Sequence, residues 1–269
     1  MQNKVTRRPA LSAVSVFHYV RLGYRSALLL VSLLLYILNR TRGNGTMLSA
    51  VEKRPAILAV IWALFMLEMV LRFFPSRLES PGCQKQFRRN YVPTGCTTPV
   101  LHDNNATIIV AFCWLALNGL LGAVYLSGWI DEDIMLLVCL LYSVCDMICI
   151  LFFCPFQTWF LKNKCCSSCR IYNWDYAMMF TPLFFVRRFY TWSLLLASVI
   201  LLLRWELLVW RRPERFSEKT NAYLACSVCT EKLCAHKKQL HTLWQRLRVE
   251  EKLREARLQL KSNIHSRKK

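Results

Sequence analysis

A chain of 269 residues that is 55% hydrophobic and 13% aromatic, yet carries a net charge of +20, is excluded from the ordinary soluble globular class. Its apolar and basic residues must be segregated. The recurring apolar runs, each near the ~20 residues that cross ~30 Å of hydrocarbon, predict an all-α, multi-pass transmembrane helical bundle.

The basic N-terminus, residues 1–21, lacks a small-residue cleavage site, so the run after it is read as a retained anchor. Arg7 and Arg8 are read as ordinary basic flanking. The bundle is expected over residues 22–210. Its first span is 22–38, with Arg25 near the start, snorkelling to the interface. Further spans are expected at 55–74, 108–126, 134–153 and 190–210. Residues 174–188 are apolar but short and contain Pro182. They read as a re-entrant dip, an interfacial helix or a cramped crossing.

Loop charge sets the orientation. The 75–107 connection carries Arg77, Lys85, Arg88 and Arg89, and the 154–173 connection carries Lys162, Lys164 and Arg170. The turn "SGWIDEDI" between them has three acids and no Lys or Arg. The positive-inside rule places the basic connections, and the basic tail of residues 211–269, in the cytoplasm. That parity favours 174–188 as a real crossing, giving six, with five as the alternative. Geometry resists, because about 15 helical residues rise only about 22 Å.

Four of the thirteen cysteines (Cys113, Cys139, Cys145 and Cys149) fall within spans and are read as packing residues. The other nine lie in loops and the tail. In the tail, Cys226-x2-Cys229-x4-Cys234-x-His236 has three thiolates and an imidazole at a spacing that can close a tetrahedral zinc shell. An iron-sulfur cluster is the alternative, although neither ferredoxin spacing is matched in full. Cys154, Cys165, Cys166 and Cys169 form a second candidate metal set, and Cys166-x2-Cys169 alone has the spacing of a metal knuckle or redox dithiol. Cys83 and Cys96 cannot be assigned from spacing.

The stretches "FFPSRLES", "GCQKQF", "CPFQTWF", "CRIYNWDYAMMFTPL" and "RFSEKTNA" resemble an uncharacterised family of cysteine-rich multi-pass bacterial membrane proteins. The resemblance implies a bacterial inner membrane and brings no activity to particular residues.

Three ionisable residues fall inside spans at similar depth: Glu68, Asp146 and Arg204, each roughly 10 Å below the cytoplasmic boundary. Arg204 is expected to neutralise Asp146 or Glu68, with Arg72 as a local competitor for Glu68. The tail beyond its cysteines is rich in helix formers, and Leu240, Leu243, Trp244 and Leu247 make one apolar stripe open to a protein partner. Because it follows a span directly, its charge suits anionic lipid headgroups better than nucleic acid. There is no Gly-rich phosphate loop, H-E-x-x-H, nucleophile elbow or kinase signature. The reading is therefore a binding or sensor protein with a cytoplasmic cysteine-based metal site. The alternatives are a thiol-disulfide or electron-transfer protein and a small transporter component.

Overall fold

The computed structural model describes residues 13–43, 45–75, 84–101, 104–161 and 169–225. Among these the chain is helical, apart from turns and one isolated antiparallel bridge between Pro93 and Asn221. Helix α1 (Ala13–Arg42) starts before the apolar run and takes in His18, Arg21 and Arg25. Steps of three and four residues put these side chains on one stripe, and all three are fully buried. Leu30, Leu34 and Ile37 face outward. A helix with its ionisable stripe inward and its leucines outward is suited to lipid, where a charged group must face the interior of the bundle.

Gly43, at φ +66°, ends α1 in the left-handed region that only glycine adopts cheaply. The short α2 (Met47–Glu52) follows, capped by Thr46, whose side chain accepts from the Ser49 N–H at 3.2 Å. Pro55 opens α3 (Pro55–Leu71) at a position where its missing N–H is not needed. After the 84–101 connection, α4 (Asn104–Leu126) and α5 (Glu132–Leu151) are joined by the acidic turn. Each acid of that turn has a local task. Asp131 caps α5 by accepting from the Ile134 N–H at 3.0 Å. Asp133 accepts from the Met47 and Leu48 N–H groups at 2.5 and 2.9 Å, tying α2 to α5. Glu132 meets Arg188 at 3.4 Å.

Four helices (α1, α4, α5 and α7, Phe189–Arg211) are long and apolar enough to cross a membrane, and α3 is a shorter apolar helix. At most a third of each candidate window is buried within the protein, so much of the apolar surface, including Phe112, Leu120, Leu196 and Leu203, lies outward. In a bilayer that surface is what lipid tails would cover.

Between α5 and α7 the chain breaks up. A π-helical turn spans Phe156–Phe160, a 3-10 turn spans Arg170–Trp174, α6 is a single short helix (Asp175–Phe180), and a second 3-10 turn covers Thr181–Phe185. The lower end is fixed beside the end of α7, where Trp174 Nε1 donates to Glu206 at 2.6 Å. At the upper end Val186 is fully buried with Leu48 and Met135, beside the start of α5. The segment thus has one end beside Glu206 of α7 and the other beside the start of α5. A 3-10 turn rises about 2.0 Å per residue against about 1.5 Å for an α-helix, so Arg170–Phe185 gains about 29 Å.

The principal core lies along this broken segment: Phe65 and Met69 of α3, Tyr176, Met179, Phe180 and Leu183 of the segment, and Leu194, Leu201 and Trp205 of α7. Below it the start of the predicted tail folds back onto the 84–101 connection. Asn221 is its hub, donating to Lys85 O at 3.1 Å and Arg215 O at 3.0 Å while accepting from the Tyr223 N–H at 3.1 Å. Phe87 and Phe216 meet Trp205 edge-on, at centroid distances of 5.4 and 6.3 Å.

Phe185 presses onto α4 where Gly122 leaves room: a Cβ there would lie 2.0 Å from Phe185 Cζ, whereas one on Gly119 meets nothing within 4 Å. Gly122→Ala is expected to cost about 1–3 kcal/mol by overpacking, and Gly119→Ala less than about 0.5 kcal/mol. Thermal unfolding of the two variants in detergent checks this, and equal midpoints would refute the contact.

Candidate functional site

The polar layer expected from Glu68 and Asp146 is present, but its organising cation comes from α1. Arg25 Nη2 lies 2.7 Å from Glu68 Oε2, and its Nη1 lies 3.1 Å from Asp146 Oδ2. The same Nη1 donates to Ser143 O at 3.1 Å. Arg25 is fully buried, so it does not snorkel as its position near the helix start suggested. One guanidinium fork thus joins α1, α3 and α5, a geometry that an ammonium could not copy.

Glu68 has further partners. Arg21 Nε lies 2.9 Å from its Oε1, the Tyr24 hydroxyl donates to Oε1, and the Tyr176 hydroxyl donates to Oε2 at 3.0 Å. Arg72, expected as a local partner of Glu68, reaches the broken segment: its Nη1 donates to Asp175 Oδ1 at 2.7 Å and its Nη2 lies 2.5 Å from Oδ2. The Tyr176 ring lies 4.6 Å from the Arg72 guanidinium and 5.8 Å from that of Arg25, adding cation–π attraction to both. Arg21, Arg25 and Arg72 therefore face Glu68, Asp146 and Asp175, three positive charges against three negative. Burial of such groups is tolerable only because each carboxylate is held by a guanidinium.

Arg204 has a different setting from the one its sequence position suggested. Its guanidinium lies over the rings of Phe73, at 4.8 Å, and Phe87, at 5.9 Å. The cation that bridges Glu68 and Asp146 is Arg25, because the stripe from His18 to Arg25 carries α1 inward at the same level. Asn118, also within a span, donates within its own helix to Trp114 O at 2.9 Å.

Beside the ion pairs is a cavity of about 270 Å³. Asp146 and Asp175 line it, as do Cys145, Cys149, Cys154 and Cys169. Met178 and Met179 add two thioethers. The cavity thus brings together Cys154 and Cys169, 15 positions apart in sequence and both expected as ligands. It adds Cys145 and Cys149, which had been assigned to packing. Their i, i+4 spacing, with Cys154 just past the end of α5, was the available signal. The Cys149 and Cys154 side chains are hydrogen-bonded to each other, and the Gln157 N–H donates to Cys154 Sγ at 3.4 Å.

Cys165, Cys166, Cys226, Cys229, Cys234 and His236 lie outside the described residues, as do Cys83 and the apolar stripe around Trp244. Cys96 is described and exposed. Among the described residues, no three His, Cys, Asp or Glu side chains are placed to hold one metal ion. Tetrahedral zinc, which needs four ligands, would have to draw on residues beyond them.

Removing Arg25 would leave two buried carboxylates without their shared partner. Arg25→Ala is expected to destabilise the protein by about 3–5 kcal/mol. Arg204→Ala, which removes the stacking on Phe73 and Phe87 along with the residue's other contacts, is expected to cost less than Arg25→Ala. Unfolding in detergent ranks the two, and a larger loss at Arg204 would return the neutralising role to it. Comparison with protein-family models, curated proteins and solved structures finds no match to this chain.

Proposed function

We propose that this chain is a six-crossing integral membrane protein that acts as a binding or sensor protein through a metal ion held on cysteines at its cytoplasmic face. The observation that carries the reading is the cavity in which Cys145, Cys149, Cys154 and Cys169 meet beside Asp146 and Asp175. Thiols on an otherwise apolar wall are ligands for a soft or borderline metal, and the adjacent carboxylates attract cations.

The crossing count rests on the broken segment. Its two 3-10 turns supply the rise that an α-helix of the same length lacks. Counting it as the fifth crossing puts the 84–101 connection, the cysteine-bearing loop and the basic tail on one side, where the positive-inside rule expects them. Arg188, at the opposite end, is matched by Glu52 and Glu132, each at 3.4 Å.

The ion-pair layer supplies a means of response. A cation arriving beside Asp146 and Asp175 competes with Arg25 for the first and Arg72 for the second. Weakening those pairs would change how α1 and α3 are held against α5 and the broken segment. An occupant can shift such an equilibrium only through different affinity for its two states, which this competition provides.

Two measurements test the reading. Full-length protein purified anaerobically is expected to carry about one or more equivalents of metal. Serine at Cys154 and Cys169, or at Cys226, Cys229 and Cys234, is expected to lower that content. Well-folded protein without metal, and unable to take it up, would sink the proposal. In sealed inverted vesicles, a membrane-impermeant maleimide is expected to label Cys96 and the tail cysteines from the same side. Labelling from opposite sides would establish five crossings.

A further inference from the structure

We infer that the cavity beside the ion-pair layer is a site for a monovalent soft metal ion of the copper(I) or silver(I) type, held between Cys149 and Cys154. This deepens the metal-binding reading and rests on it.

The donor set points that way. Four thiols and the thioethers of Met178 and Met179 line one cavity, and sulfur of both kinds selects copper(I) over harder ions. The number of close ligands points the same way. Cys149 and Cys154 are in mutual contact. A closely spaced thiolate pair is enough for a d10 monovalent ion, which accepts two-coordinate binding, whereas structural zinc takes four ligands.

The backbone prepares the pair. Helix α5 stops after Leu151, where Phe152 donates its N–H to Ile148 O at 2.8 Å. Cys154 follows just past that end, within hydrogen-bonding reach of Cys149 in the last helical turn. The Gln157 N–H at 3.4 Å from Cys154 Sγ is a donor to sulfur, which favours the thiolate form. The carbonyl end of α5 carries partial negative charge and favours a cation there. Binding by two thiolates releases two protons to water for each monovalent ion taken up and involves no change in oxidation state.

The lining of the cavity also includes aromatic rings. Trp114 and Tyr142 are 4.6 Å apart between centroids, and both line the cavity. Such a lining limits water around the metal and suits a soft ion with little hydration. Asp146 and Asp175, held by Arg25 and Arg72, share their charge with the arriving cation. They draw the cation toward the cavity, while the sulfurs bind it.

The test uses the full chain in detergent under anaerobic, reducing conditions, titrated with copper(I) against the chromogenic chelator bicinchoninate and, separately, with zinc against a zinc indicator. Wild-type protein is expected to withdraw about one equivalent of copper(I) that survives serine substitution of Cys226, Cys229 and Cys234. Cys149→Ser and Cys154→Ser are each expected to weaken it more than about tenfold. X-ray absorption of the copper-loaded wild type, which depends on no variant folding, is expected to show a two-sulfur shell. The inference is overturned by unchanged copper binding in both single variants, by a shell of four ligands, or by zinc binding at least as tight as copper. Zinc uptake that depends on other cysteines would overturn this inference while leaving the metal-binding reading intact. Failure to take up either metal would end both.

Discussion

The buried guanidinium of Arg25 is the constraint around which the bundle is arranged. A cation at this depth cannot be left unpaired in a medium of low polarity, and its planar fork allows it to satisfy Glu68 on α3 and Asp146 on α5 together. Once those two helices are drawn to α1, other choices follow. Glu68 retains lone pairs that need donors, and Tyr24, Tyr176 and Arg21 provide them. Tyr176 belongs to the broken segment, so the same carboxylate fixes where that segment passes. Arg72 and Asp175 add a second clamp between α3 and α6. In a bilayer, hydrophobic burial would contribute little between helices, and polar contacts of this kind would carry much of the orientation.

The broken segment solves a problem of length by changing its helical pitch. A regular α-helix from Arg170 to Phe185 would rise only about 24 Å. More tightly wound 3-10 turns at both ends, with Pro182 in the upper one, rise further per residue and lengthen it. The cost is a poorer set of backbone hydrogen bonds. That cost is bearable because the segment is packed among α3, α4, α5 and α7, with Tyr176, Met179, Phe180 and Leu183 almost wholly buried. Irregular backbone at membrane depth is tolerated where protein surrounds it. Phe185 against Gly122 and Val186 against Met135 complete the seal at the upper end.

This irregularity also shapes the proposed site. If α5 continued directly into a straight fifth helix, Cys154 would be carried away from Cys149 and no cavity would form beside Asp146. The end of α5 at Leu151 and the return of the chain through Cys169 bring sulfur from three segments to one cavity. The ion pairs and the thiols are therefore neighbours for a single topological reason. Both lie where the chain leaves α5 and begins its climb.

Much was legible from residue order alone: the all-helical class, the apolar runs and the shared level of Glu68 and Asp146. These follow from composition, run length and the 1.5 Å rise of a helix, which are local properties. Partners were not legible. Arg25 was read as a snorkelling residue because its distance from the apolar centre was known, while the direction of its side chain relative to other helices was not. Arg204 sits at a comparable depth yet meets Phe73 and Phe87, since depth does not specify azimuth. Cys145 and Cys149 were read as packing for the same reason. The chain order determined which groups occupy each level of the bundle, and only the tertiary structure decided which of them face one another, because that depends on helix rotation and on the 3-10 path through the core.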